Sequence, residues 1–121
     1  AAGLLQGKRA ACHWAWRDLL PMFGAIPDEG RVVRDGNTIT GGGVTAGIDF
    51  ALAILTELTG PAGAQLMQLN YEYAPAPPFN AGRPETAPKE ILEAAQQMYE
   101  RLRPVRDAEA KSAAAKLAAM A

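Results

Sequence analysis

Cys12-His13 and the run Gly41-Gly42-Gly43 hold the residue types in this chain best suited to chemistry. A thiol beside an imidazole suggests a nucleophile with its base. Neighbours on an extended strand point to opposite faces, however, so the two groups would diverge. Cys12 is therefore read as a small buried apolar residue and His13 as a structural histidine. Gly41-x-Gly43-x-x-Ala46 has the outline of a dinucleotide-binding turn. That turn also needs a second parallel strand ending in an acidic residue about 20 positions further on. Here the place is taken by Gly60-Pro61-Ala62-Gly63, with no carboxylate. Two readings of the glycines stand. They permit a tight, closely packed turn, or they let backbone groups and the free N–H groups of a helix start approach a reacting centre. The residue pattern alone favours the first. One Cys and one His make no metal-ligand set, and no Ser-His-Asp order, nucleophile elbow or carboxylate pair stands out. The residues by themselves name no reaction.

The elements that must position these groups read as strands alternating with helices. Lys8 to Trp14 is expected as a buried strand, although alanine is a poor strand former. Trp16, Leu19, Leu20 and Phe23 recur at i, i+3, i+4 and i+7, which predicts an amphipathic helix over 15–23 closed by Gly24. Two β-prone runs around Asp35-Gly36-Asn37 predict a hairpin of strands near 31–34 and 38–40. Its second strand feeds the glycines and then a helix, Val44 to Thr59, apolar most of the way round and so expected deep in a core. Gly60-Pro61 stops that helix and starts another, running to about Tyr73. Ala74 to Pro88 carries five prolines and is expected as an extended surface segment. Its Pro75-x-x-Pro78 spacing is read as a loop on its own domain rather than a ligand for an adaptor domain. A last helix begins at Lys89 with a stripe of Ile91, Ala95, Met98, Leu102 and Val105, and Pro104 should kink or break it.

At 121 residues with net charge −1 and 49% apolar residues, the chain has the size and balance of one globular domain. No basic stripe suggests nucleic acid. No apolar run reaches membrane-spanning length, and Lys8 and Arg9 follow the first apolar residues instead of preceding them, unlike a secretory signal. With a lone cysteine, a cytoplasmic location is the default. Only three strands are visible, too few for a parallel sheet whose faces and edges are covered. The opening "AAGLLQG" reads as the last turn of a helix already under way, with Gly3 at its C-cap. The chain is expected to be about half of one α/β domain.

"GLLQGKRAACHW", "RVVRDGN", "TGGGVTAGIDFAL" and "QLNYEYAPAPPFNAGRPETAP", in this order and spacing, closely resemble the C-terminal half of isonitrile (isocyanide) hydratases, a branch of the ThiJ/PfpI superfamily. The resemblance covers nearly the whole chain and fades in the Ala-rich tail. It implies part of a three-layer α/β/α sandwich (flavodoxin-like, ThiJ/PfpI type), with the N-terminal strands and the nucleophile elbow absent from this chain. Residues 1–121 would be the C-terminal part of one such domain, with 89–121 its C-terminal helical segment. The implied activity is a cysteine-dependent lyase that hydrates isonitriles to N-substituted formamides with no metal or organic cofactor, usually as a homodimer. The thiolate attacks the isonitrile carbon, water resolves the thioimidate, and an acidic residue of the first strand assists proton transfer.

The family's elbow cysteine and acid would both lie upstream of Ala1. Cys12 matches a later strand and does not inherit the nucleophile's role, so no catalytic residue is assigned in this chain. What carries over is a wall: Gly42, Gly43, Val44 and Thr45 match the turn that packs against the nucleophile, and His13 matches a histidine that shapes the pocket. The implied partners are a small isonitrile and the N-terminal half of the same domain, with neither nucleic acid nor membrane. Two alternatives remain, an amidotransferase-like ligand-sensing domain of a transcription regulator and a non-catalytic truncated remnant.

Overall fold

Strand and helix alternate along the chain, in short pieces. The structure, a computed structural model, describes residues 2–119. Its elements are β1 (Arg9–Ala10), a 3-10 helix (Trp14–Phe23), β2 (Ile26–Pro27), β3 (Val32–Asp35), β4 (Thr38–Gly41), α1 (Ala46–Asn70) and α2 (Lys89–Ala118). Ala1 lies outside the described residues. Of the expected closing helical turn, what is visible is Gly3 at φ 73°, the left-handed conformation a C-cap glycine adopts.

β1 pairs in parallel with β2, and the 3-10 helix forms the crossover such a pair requires. Ile26 N donates to Lys8 O at 2.8 Å and Asp28 N to Ala10 O at 2.9 Å. Pro27, lacking an N–H, sits between these two donors, where the ladder asks nothing of it. The strand expected over 8–14 shrinks to two residues because its later backbone groups find other partners. Ala11 N donates to Thr40 Oγ1 at 2.9 Å, and His13 turns to cap the following helix. That helix is 3-10 and not α, contains Pro21, and ends as expected at Gly24, whose φ of 71° suits glycine.

β3 and β4 form the expected antiparallel hairpin, shifted by one residue at their ends, with Asp35 opposite Thr38 and Gly36 at φ 63° in the two-residue loop. The hairpin lies beside β1 without a shared backbone ladder. Side chains join them: Arg9 N donates to Asp35 Oδ2 at 2.8 Å, and Ala11 N to Thr40 as above.

α1 breaks at Gly60 (φ 77°, ψ 169°), and Pro61 starts its second segment, as the sequence predicts. The deep burial expected of α1 is not found. Only Ala46 and Ala64 are buried along it, while Ile48 and Leu58 are exposed. Two two-stranded sheets present too little surface to cover a helix that is apolar most of the way round. Among the described residues the buried apolar set is Ala10, Ala11, Ala25, Val33, Ala46, Ala64 and Ala110, and no large side chain is fully buried.

α2 runs unbroken through Pro104, contrary to expectation. Proline removes one backbone donor, and the helix is held locally by Arg103, which donates to Asp107 at 2.6 Å and to Asp18 on the 3-10 helix at 2.5 Å. The face turned inward is also not the predicted one. Tyr99 packs on Trp14, Trp16 and His13 with ring centroids 5.3, 5.5 and 5.4 Å away. Ile91, Met98, Leu102 and Val105 are left exposed.

Candidate functional site

The glycine turn has a packed side and an open side. Gly42 N donates to Arg31 O at 2.8 Å. A Cβ at Gly42 would stand 2.6 Å from Gly30 O, closer than real side chains approach, and 3.4 Å from Arg31 Cα. Gly43 is different: its φ is 123°, which only glycine adopts easily, and a Cβ there would meet nothing within 4 Å. Next to it Val44 is 91% exposed. The close packing that the pattern favoured is therefore met at Gly42, while the turn is bare at Gly43–Val44. Ala46 N and Gly47 N are taken up by Gly43 O and Val44 O, both at 3.2 Å.

Thr45 is the N-cap of α1, but its hydroxyl makes no capping bond; it accepts from Arg31 Nη2 at 3.2 Å. The same guanidinium donates through Nε to Asp49 in the first turn of α1. The second oxygen of Asp49 accepts from Tyr73 O–H at 2.7 Å. Arg31 first, then Tyr73, holds the Asp49 carboxyl below its usual range by bonding to the charged form. The same carboxylate pushes the Tyr73 phenol and the Arg31 guanidinium up. These three side chains carry no local signature of a site in the sequence; Arg31 and Asp49 are 18 residues apart and Tyr73 and Asp49 are 24 apart. The one hint is Asp49 itself, the acid in the first turn of α1.

Val44, Thr45, Ile48 and Tyr73 line an open cleft of about 980 Å³, whose far side is the proline-rich segment, including Pro75, Pro77 and Phe79. Gly42 lines a separate recess of about 60 Å³ with Trp14, Arg17, Arg31 and Arg83. The Nε of Arg17 is buried there without a hydrogen-bond partner among the described residues. Three of the four wall residues are thus divided between two neighbouring concavities, Gly42 on one and Val44 and Thr45 on the other, with Gly43 lining neither; Arg31, Gly82 and Arg83 line both.

His13 does not line either one. Its Nδ1 accepts from Ala15 N at 3.3 Å as the cap of the 3-10 helix, and its ring lies 5.5 Å from that of Trp14, which does line the recess. The Cys12 thiol donates to His13 O at 3.4 Å, so its partner is a carbonyl and not the imidazole. Burial pushes that thiol up, away from the thiolate a nucleophile needs. Among the described residues no three His, Cys, Asp or Glu side chains converge as metal ligands would. No helix there is long and apolar enough to cross a membrane.

The sequence profile of the DJ-1/PfpI family matches residues 1–57. Isonitrile hydratase of Pseudomonas putida is 64% identical over 97 residues, 80% of this chain and 42% of that protein. The crystal structure of a ThiJ/PfpI family protein from Pseudomonas syringae superposes with a TM-score of 0.84 at 47% identity, over 93% of this chain and 45% of that one. The chain belongs to the DJ-1/PfpI family. Its elements are part of the ThiJ/PfpI α/β fold, and it spans less than half the length of either relative. The family profile includes the glycine turn, Arg31 and Asp49 but stops before Tyr73 and the proline-rich segment. The likeness to isonitrile hydratase goes further. A 97-residue stretch leaves 24 of 121 residues outside it, so wherever it starts it contains residues 25–97 and with them the whole cleft.

Proposed function

We propose that this chain supplies the back wall of an isonitrile hydratase-like active site, and that the attacking cysteine belongs to polypeptide outside residues 1–121. The observation that carries the reading is the 64% identity to isonitrile hydratase across both the glycine turn and the cleft. The reaction is R–N≡C plus water giving R–NH–CHO. A thiolate forms a bond to the isonitrile carbon, and that carbon takes a proton to give the thioimidate R–N=CH–S. Water then adds to the carbon as nitrogen takes a proton, and the sulfur leaves as thiolate with the electron pair of the C–S bond while the hydroxyl proton is lost.

In this reading Gly42, Gly43, Val44 and Thr45 face the sulfur. The bare backbone at Gly43 and the exposed Val44 leave room for a neighbour at van der Waals distance. His13 shapes the pocket indirectly, by fixing Trp14 beside Gly42. Residues 1–121 would then be the C-terminal part of one domain. Cys12 is unsuited to the nucleophile's part, since its thiol is bonded to a carbonyl and raised by burial.

The test is to mix the chain with the complementary, unmatched segment of the Pseudomonas putida enzyme and assay formamide from a simple alkyl isonitrile. Formamide is expected from the mixture, unchanged by Cys12→Ala, and not from the chain alone. Formamide made by the chain alone and abolished by Cys12→Ala would overturn the reading, as would an assembled but inactive mixture.

A further inference from the structure

Arg31, Asp49 and Tyr73 come from three separate parts of the chain: the residue before β3, the first turn of α1 and the segment after α1. Arg31 grips the glycine turn at both ends. Its backbone carbonyl accepts from Gly42 N at 2.8 Å, and its guanidinium reaches Thr45 and Asp49 on the far side of the turn. Asp49 spends one oxygen on Arg31 and the other on Tyr73. Tyr73 directly precedes Ala74, where the proline-rich segment begins, and that segment forms the opposite side of the cleft from Val44 and Ile48. Proline fixes φ along much of this stretch, so an anchor at its start sets the direction of the whole segment.

We propose that Arg31, Asp49 and Tyr73 are positioning residues: Arg31 and Asp49 fix the Gly42–Thr45 wall, and Asp49 and Tyr73 fix the proline-rich rim against it. One carboxylate thus sets the width of the cleft from both sides. The inference rests on the active-site reading above for its catalytic consequence, while the tie itself is a property of this chain alone. An asparagine at position 49 loses the charge to which Arg31 and Tyr73 both bond and offers one acceptor oxygen where the carboxylate offers two, so both ties are weakened. A phenylalanine at 73 removes one hydroxyl, keeps the ring and leaves the Arg31–Asp49 pair in place.

Chymotryptic cleavage after the exposed Phe79 reads the rim in the 121-residue chain. Tyr73→Phe and Asp49→Asn should each speed that cut several-fold, and the double variant should be no faster than the faster single one. In the complemented enzyme Tyr73→Phe should raise KM more than it lowers kcat, because only the rim is freed, whereas Asp49→Asn should lower kcat as well. Unchanged or additive cleavage overturns the proposal, as does a parallel change of kcat and KM in both variants. Tyr73→Phe keeps the test decisive even where Asp49→Asn does not fold. Coupled cleavage in a mixture that makes no formamide would remove the hydratase reading and leave the tie standing; an active mixture with uncoupled cleavage would do the reverse.

Discussion

Gly42 and Gly43 are neighbours that need glycine for unrelated reasons. Gly42→Ala puts a methyl 2.6 Å from Gly30 O and must displace the backbone that carries Arg31, an overpacking cost of about 1–3 kcal/mol. Gly43→Ala meets open space and carries only the strain of a φ near 123°, about 1–3 kcal/mol. Urea midpoints should fall for both, but only Gly42→Ala should also disturb Tyr73, through Arg31 and Asp49. Tyr73→Phe carries a pH signature. The Asp49 carboxylate, stabilised when charged, contributes fully above its ordinary value near 3.8, and the contribution drains as pH falls through the lowered value of the folded state. The Tyr73 phenol, raised in the folded state, contributes below its ordinary 10.0 and loses that as pH rises through the raised value. The stability difference between wild type and Tyr73→Phe should therefore be level between those limits and shrink at both ends. A difference that stays level at both extremes contradicts the bond. The glycine turn was legible in the sequence because its signal is three adjacent residues; the Arg31–Asp49–Tyr73 tie was not, because only the tertiary fold brings its members together.

Local pattern fixed some elements well and left others open. The β3–β4 hairpin and the Gly60-Pro61 break were readable because turn chemistry settles each within a few residues. β2 was missed, being two residues long and containing a proline. α2 was assigned the wrong inward face. Apolar residues lie on both of its sides, and the choice is made by distant groups: the Trp14–Trp16–Tyr99 contacts and the Arg103–Asp18 pair. Tyr99→Ala should loosen α2 from the 3-10 helix at a cost of about 2 kcal/mol, below a fully buried aromatic because Tyr99 is only partly covered. Tryptophan emission should shift to the red and melt earlier than helical circular dichroism. Pro104→Ala should raise the melting temperature, since the helix already runs through that residue and gains a backbone bond, worth up to about 3 kcal/mol.

The chain as a whole keeps large apolar side chains at its surface and small ones in its core. Val44, Leu58, Leu66, Leu69 and Phe79 are all exposed, more apolar surface than a finished α/β unit leaves open. That shortage of sheet was legible from the sequence, because counting strands against apolar helix faces needs no tertiary information. Which helix faces the two small sheets would leave uncovered was not. If the Gly42–Thr45 wall is covered by polypeptide carrying the nucleophile, Val44 must lose its exposure when that polypeptide binds. Thiol labelling of a Cys12→Ser, Val44→Cys chain by an aromatic disulfide reagent tests this most directly. Labelling should be fast for the chain alone, as befits a side chain 91% exposed, and should slow at least about tenfold once the complementary segment of isonitrile hydratase is bound. Equal labelling rates with and without a bound complement would contradict it.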